Sequence, residues 1–168
     1  MLGVFFRPWV GDRYEAGGQF SKRVLVLGES HYQWDENIPL AENLTIECVQ
    51  EQLSGTATQA FWTKIAVAFL KRDPSLRDKR EFWQAVAFDN YVQSNVGLGA
   101  RVRPTEWEHC PSVGHHGPVI EGAPRPETWR YPVGNGGEAL AYPTLHPSSG
   151  RFSGRYWHPF IMRAIDMA

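Results

Sequence analysis

Val24-Leu25-Val26-Leu27-Gly28-Glu29-Ser30-His31-Tyr32 runs through four apolar residues in succession and turns polar at a glycine. A continuous apolar run bounded by Lys22-Arg23 on one side and Gly28 on the other predicts a strand covered on both faces, at the centre of a parallel sheet. Downstream, Ile46, Val49 and Leu53 share one face of a predicted helix over 43–53. Phe61, Ile65 and Phe69 do the same over 58–71, which Asp73-Pro74 ends. Ala85-Val86-Ala87-Phe88 predicts a second strand ending near Asn90, and 139–145 a third ending at His146-Pro147. Tyr156, Phe160 and Ala164 fall in line on a closing helix over 156–167, with Pro159 in or near its first turn. Strands alternating with helices predict an α/β fold: a single three-layer domain over 1–168, with a short, mainly parallel sheet flanked by helices.

Between Pro104 and Pro143 the character changes, because seven of the chain's 12 prolines and six of its 16 glycines fall there. Such a composition predicts an irregular segment. Lys+Arg 17 against Asp+Glu 18 gives a formal charge of −1, which excludes a globally basic nucleic-acid coat and confines any nucleic-acid site to a local patch. Two cysteines, Cys48 and Cys110, build neither a disulfide framework nor a four-cysteine metal site. The histidines near Cys110 (His109, His115 and His116) match no metal-ligand spacing, so no metal and no cofactor is expected. The first 13 residues do not read as a signal peptide, and no stretch has the length and apolarity of a membrane helix. The expectation is a soluble, cytoplasmic monomer with no membrane contact.

Ligands of parallel α/β sheets bind beyond the carboxyl ends of the strands. Three polar segments occupy such ends here: Gly28 to Tyr32, Asp89-Asn90-Tyr91, and His146-Pro147-Ser148-Ser149-Gly150-Arg151. If the strands are parallel neighbours, the three converge.

In this order the segments resemble those of the uracil-DNA glycosylase superfamily, and most closely uncharacterised bacterial proteins assigned to it. Gly28, Glu29, Ser30 and Tyr32 fall on its first motif. Phe88-Asp89-Asn90-Tyr91-Val92-Gln93 resembles the strand whose Asn reads the base, and Leu145-His146-Pro147-Ser148-Ser149 the loop whose His contacts the uracil carbonyl. The resemblance covers roughly 22–93 and 140–168. It implies a protein that binds a flipped pyrimidine in uracil-containing or single-stranded DNA and acts on its N-glycosidic bond. Ser30 stands where the superfamily usually carries a water-holding Asp or Asn, so excision is expected to be weak or absent.

Each residue type suits one demand of that chemistry. Asn90 offers one donor and one acceptor to a pyrimidine edge, His31 flanks the base site and Tyr32 walls it. His146 donates to the departing base, while Glu29 and Ser30 sit beside the attacking water. Ser148, Ser149 and Arg151, with Arg155 nearby, grip flanking phosphates. The bland alternatives are a strand-end Asn satisfying a turn, a His-Pro turn, a solvated Ser/Gly loop and a tyrosine packed in the core. Two other functions compete. Leu27-Gly28-Glu29-Ser30 with Leu145-His146-Pro147-Ser148 also resembles the SGNH or GDSL esterases, with Ser30 as nucleophile and His146 as base, although Pro143 stands where that family places Asp. A non-catalytic nucleobase-binding module is the other.

Overall fold

The computed structural model of the protein describes residues 5–33, 35, 37, 39, 41–56, 59–93, 95–98, 115–116, 129–133, 136–147 and 149–168. In chain order these form β1 (Trp9–Val10), β2 (Leu25–Gly28), β3 (His31–Gln33), α1 (Leu44–Ser54), α2 (Ala60–Leu70), α3 (Leu76–Trp83), β4 (Ala87–Asn90) and β5 (Asn95–Leu98). Then come β6 (His115–His116), β7 (Trp129–Val133), β8 (Gly137–Ala141) and α4 (Gly154–Met167). The chain is α/β, and it divides into two compact units. Met1–Ala57 with Arg80–Pro111 makes the first; Thr58–Lys79 with Ser112–Ala168 makes the second.

The first unit is built on β4. This strand pairs in parallel with β2, as the sequence predicts, and antiparallel with β1, so the sheet is mixed and ordered β1-β4-β2. Trp9, Phe88 and Val26 lie in one row across it, Val10, Ala87 and Leu25 in the next. Alternate rows point to opposite faces. The Trp9–Phe88 face closes over buried aromatic rings: Trp83 stands edge-on to Phe88 at 5.8 Å and to Phe82 at 4.9 Å. The indole N–H of Trp9 donates to the Trp83 carbonyl at 2.8 Å, which satisfies a buried donor inside this cluster.

β2 is not the central strand. Among the described residues it is an edge, and Leu25 and Leu27 are 50% and 53% exposed, so the expected cover on both faces is corrected to cover on one. The cause lies in the partner strand. Ala87 to Asn90 carries the more deeply buried residues and takes a neighbour on each side.

The parallel pairing continues past Gly28. β3 pairs in parallel with β5, His31 opposite Asn95. Glu29 and Ser30 separate β2 from β3, and the β3–β5 register shifts between His31, opposite Asn95, and Gln33, opposite Leu98. Tyr91 N–H and Val92 N–H donate to the carbonyls of Gly28 and Glu29, at 3.0 and 2.9 Å, and carry the hydrogen bonding beyond the last pair of β2 and β4.

In the second unit α2 packs along α4, where Ala68, Phe152 and Trp157 form a buried cluster flanked by Phe160 and Ile161. Gly154 makes this possible, because a Cβ there would come within 2.8 Å of the Ala68 nitrogen and 2.9 Å of the Lys64 carbonyl oxygen. Ser153 caps α4, its hydroxyl accepting from Tyr156 N–H at 3.4 Å. Pro159, expected in or near the first turn, is the sixth residue of the helix.

The third predicted strand forms over Gly137–Ala141 and stops short of 142–145. It belongs to an antiparallel sheet ordered β6-β7-β8, not to a parallel one. The prediction of an irregular 104–143 is also corrected: β7 and β8 make a hairpin with Val133 opposite Gly137. Its connection, 134–136, ends on Gly136 at φ 77°, the left-handed geometry that short hairpin loops require. Pro132 is tolerated in β7 because β6 pairs only with Trp129 and Arg130, which leaves one side of the proline without a neighbouring strand among the described residues. Within 104–143, residues 104–114 (His109 and Cys110 included), 117–128 and 134–135 lie outside the described residues.

Candidate functional site

Gly28 and Asn90 face each other across β2 and β4 as the last pair of that ladder. The asparagine is 6% exposed, and its side chain lies over the glycine so closely that a Cβ on residue 28 would collide with Asn90 Oδ1. Gly28 therefore does more than end a strand. Its missing side chain is the space in which the Asn90 amide is seated. The resemblance names both residues, and the fold brings them together within the first unit.

Asn90 is held from behind by its neighbours. Its own N–H donates to Asp89 Oδ1 at 2.8 Å, and its carbonyl accepts from Gln93 Nε2 at 2.5 Å. The same Nε2 reaches Asp89 Oδ2 at 3.2 Å, while Gln93 Oε1 accepts from the N–H groups of Phe5 and Phe6 at 3.1 and 2.8 Å. All four contacts agree with one orientation of the Gln93 amide. Burial raises the Asp89 pKa above the ordinary carboxylate range, and the hydrogen bonds from Asn90 and Gln93 oppose that rise.

The first motif is divided between the end of β2 and the start of β3. Ser30 lies between β2 and β3 with its hydroxyl buried and without a hydrogen-bond partner among the described residues. Glu29 is half-buried, and its carbonyl belongs to the ladder. Tyr32, also half-buried, follows on β3. His31 turns inward instead. Its ring packs edge-on against Phe6 at 4.5 Å, and its Nε2 is 2.8 Å from Thr45 Oγ1 of α1. Desolvation holds its pKa down at about 4, so near neutral pH it is an uncharged imidazole in the interior of its unit.

The remaining residues belong to the second unit. His146 is exposed, and its ring lies 5.4 Å from that of Phe61 at a 30° tilt. The loop after it is wound on itself: Ser149 N–H donates to the His146 carbonyl at 2.8 Å and Phe152 N–H to the Ser149 carbonyl at 3.1 Å. Ser149 Oγ accepts the Arg151 N–H at 3.2 Å, a local turn that leaves the hydroxyl hydrogen available to donate. Arg151 is exposed; Arg155 pairs with Asp73 at 2.8 Å. Ser148 lies outside the described residues.

The sequence offers no site role for Gln93, Thr45, Phe61 or Lys64. Gln93 closes the Phe88–Gln93 motif, and that position was its one visible signal. The other three act through contacts that no local pattern encodes.

No family model matches the chain, and no curated protein or solved structure matches it significantly. Among the described residues, no helix is long and apolar enough to cross a membrane.

Proposed function

We propose that the protein binds a flipped pyrimidine of uracil-containing or single-stranded DNA in the manner of the uracil-DNA glycosylase superfamily, with weak or absent excision. The observation that carries this reading is the seating of Asn90 on Gly28. A base-reading amide has to be fixed before the base arrives, because the affinity of a hydrogen-bonded pair is lost when its members must first be ordered. Asn90 meets that demand: Gly28 gives it room, and Asp89 and Gln93 fix its backbone on both sides.

Ser30 accounts for the low activity in this reading. A serine hydroxyl is a weak acceptor and no general base at neutral pH, so water near it gains little activation. The buried hydroxyl also argues against the esterase, since a nucleophilic serine needs a base within hydrogen-bond reach and Ser30 has none among the described residues. In the second unit, the resemblance gives His146 the role of a donor to a base carbonyl and gives Ser149 and Arg151 phosphate contacts. The protein works as a cytoplasmic monomer. Cys48 fits that setting as an inert thiol, its pKa pushed up to about 11 by burial and then by Glu51 and Glu47.

The test is binding and excision of labelled uracil-containing single- and double-stranded oligonucleotides, with a short acyl ester alongside. Wild type is compared with Asn90→Ala, His146→Ala and Ser30→Ala. Asn90→Ala should weaken binding by roughly 10- to 100-fold, the worth of one two-point base contact. Any excision should fall with Asn90→Ala and His146→Ala and change little with Ser30→Ala. Ester hydrolysis abolished by Ser30→Ala, or wild type that binds no uracil-containing DNA, would overturn the proposal.

A further inference from the structure

An exposed histidine on a loop is a poor donor unless something aims it, because each free rotor lowers the population of the productive pose. In the second unit one face of α2 supplies the aim. Phe61 and Lys64 are three residues apart and so share that face. The Phe61 ring lies against the imidazole of His146 at 5.4 Å, within the range of favourable ring pairs. Lys64 Nζ donates to the carbonyl of Pro147 at 2.9 Å. This bond joins a charged donor to the residue immediately after the histidine.

The sequence adds a constraint of its own. A residue preceding proline is kept from the helical region, so the His146 backbone is already narrowed before any tertiary contact forms. The Ser149 N–H then closes on the His146 carbonyl at 2.8 Å. At its far end the loop meets the same lysine again, because Gly154 packs against the Lys64 carbonyl oxygen. One residue of α2 therefore meets the loop at both ends, bonded through its side chain to Pro147 and in close approach through its backbone to Gly154.

We infer that Lys64 and Phe61 are positioning residues for His146, holding its imidazole in one orientation toward a planar heteroaromatic ligand. Lys64 fixes the loop backbone and Phe61 the plane of the ring. The ligand class rests on the base-binding reading above. The positioning itself is read from the free protein.

The test uses the full chain and two measurements. The first is the NMR shift of the His146 ring protons, assigned by His146→Gln, in wild type, Phe61→Leu, Lys64→Met and Lys64→Arg. In wild type the Phe61 ring current should displace these protons from the values of a free imidazole. Phe61→Leu should abolish the displacement and Lys64→Met reduce it. Lys64→Arg, which can still reach the Pro147 carbonyl, should restore it. The second is affinity for a uracil-containing single-stranded oligonucleotide, expected to weaken roughly tenfold in Phe61→Leu and Lys64→Met and to recover in Lys64→Arg. Ring shifts that stay at wild-type values in both Phe61→Leu and Lys64→Met overturn the inference. Affinity lost in His146→Ala but untouched in Lys64→Met overturns it as well. Wild type that fails to bind the oligonucleotide overturns the base-binding reading alone, since the ring shifts still decide whether Lys64 and Phe61 hold His146.

Discussion

Asn90 Oδ1 occupies the space that a side chain on Gly28 would need, so these two residues of neighbouring parallel strands are chosen as a pair. A methyl group at residue 28 would also come within 3.1 Å of Phe88 Cζ, in the buried half of the sheet. Gly28→Ala should therefore cost about 1–3 kcal/mol, as overpacking does, and displace the Asn90 amide. Gly150→Ala is the control, since a Cβ there meets nothing within 4 Å. It should change stability by less than about 0.5 kcal/mol. Urea denaturation of the two variants checks both.

His31 makes stability depend on pH in a window of its own. Its pKa in the folded protein is about 4, below the ordinary value of 6.5. Between those values the unfolded chain binds a proton that the folded one refuses, so stability is full above pH 6.5 and falls as the pH drops toward 4. The loss should be on the order of 3 kcal/mol. Denaturant midpoints measured across this range should slope for wild type and flatten for His31→Gln. Asp78 acts lower down. Hydrogen bonds from Arg72 and Ser75 hold its carboxylate well below the usual range, so its contribution is lost only on further acidification.

Gln93→Glu keeps the shape of the side chain and the acceptor that serves Phe5 and Phe6. It replaces the donor facing Asp89 Oδ2 and the Asn90 carbonyl with a second oxygen. The expected cost is about 1–3 kcal/mol at neutral pH, from an acceptor left unpaired against other oxygens. Acidification should relieve part of it by protonating one of the carboxylates. A smaller wild-type-to-variant gap at pH 5 than at pH 8 is the outcome to look for.

Pro159 sits in the second turn of α4, exposed, where its missing N–H cannot bond the carbonyl of Arg155. Pro159→Ala should raise the stability of the second unit, by up to about 3 kcal/mol if nothing else depends on the ring. Gly154→Val should do the opposite, since its Cβ alone would crowd backbone atoms of Lys64 and Ala68. Thermal melts followed by helix signal order the two variants on either side of wild type.

How much of this was legible depends on whether a residue's partner lies nearby in sequence. β2, β4, α1, α2 and α4 announced themselves by apolar runs or helical spacing, and they form close to where those patterns place them. α3 did not, because Arg77, Asp78, Lys79 and Arg80 dilute its apolar face until Phe82 and Trp83. β1 and β3 are two and three residues long and exist only by pairing with distant strands. Strand order was equally hidden. The apolar run at 24–27 suits a central strand, yet β4 holds the centre, and Leu25 and Leu27 lie half in solvent. At the site, the Gly28–Asn90 pair follows from two legible strand ends, whereas the inward turn of His31 depends on Thr45 and Phe6, which no motif includes.

The bonds from Gln93 to Phe5 and Phe6 also set an order of events during synthesis. Phe6 is wholly buried, but the amide that holds its N–H comes 87 residues later. The central strand of the β1-β4-β2 sheet in that unit, Ala87 to Asn90, is likewise made after α2, which belongs to the other unit. A nascent chain that has emerged only as far as α1 carries β1 and β2 with nothing between them, and Phe6 and Trp9 still in water. Closing so long a loop is slow and leaves apolar segments exposed meanwhile. The first unit should therefore close only after Gln93 has emerged, and the bonds of Tyr91 and Val92 to Gly28 and Glu29 are among the last of that unit able to form.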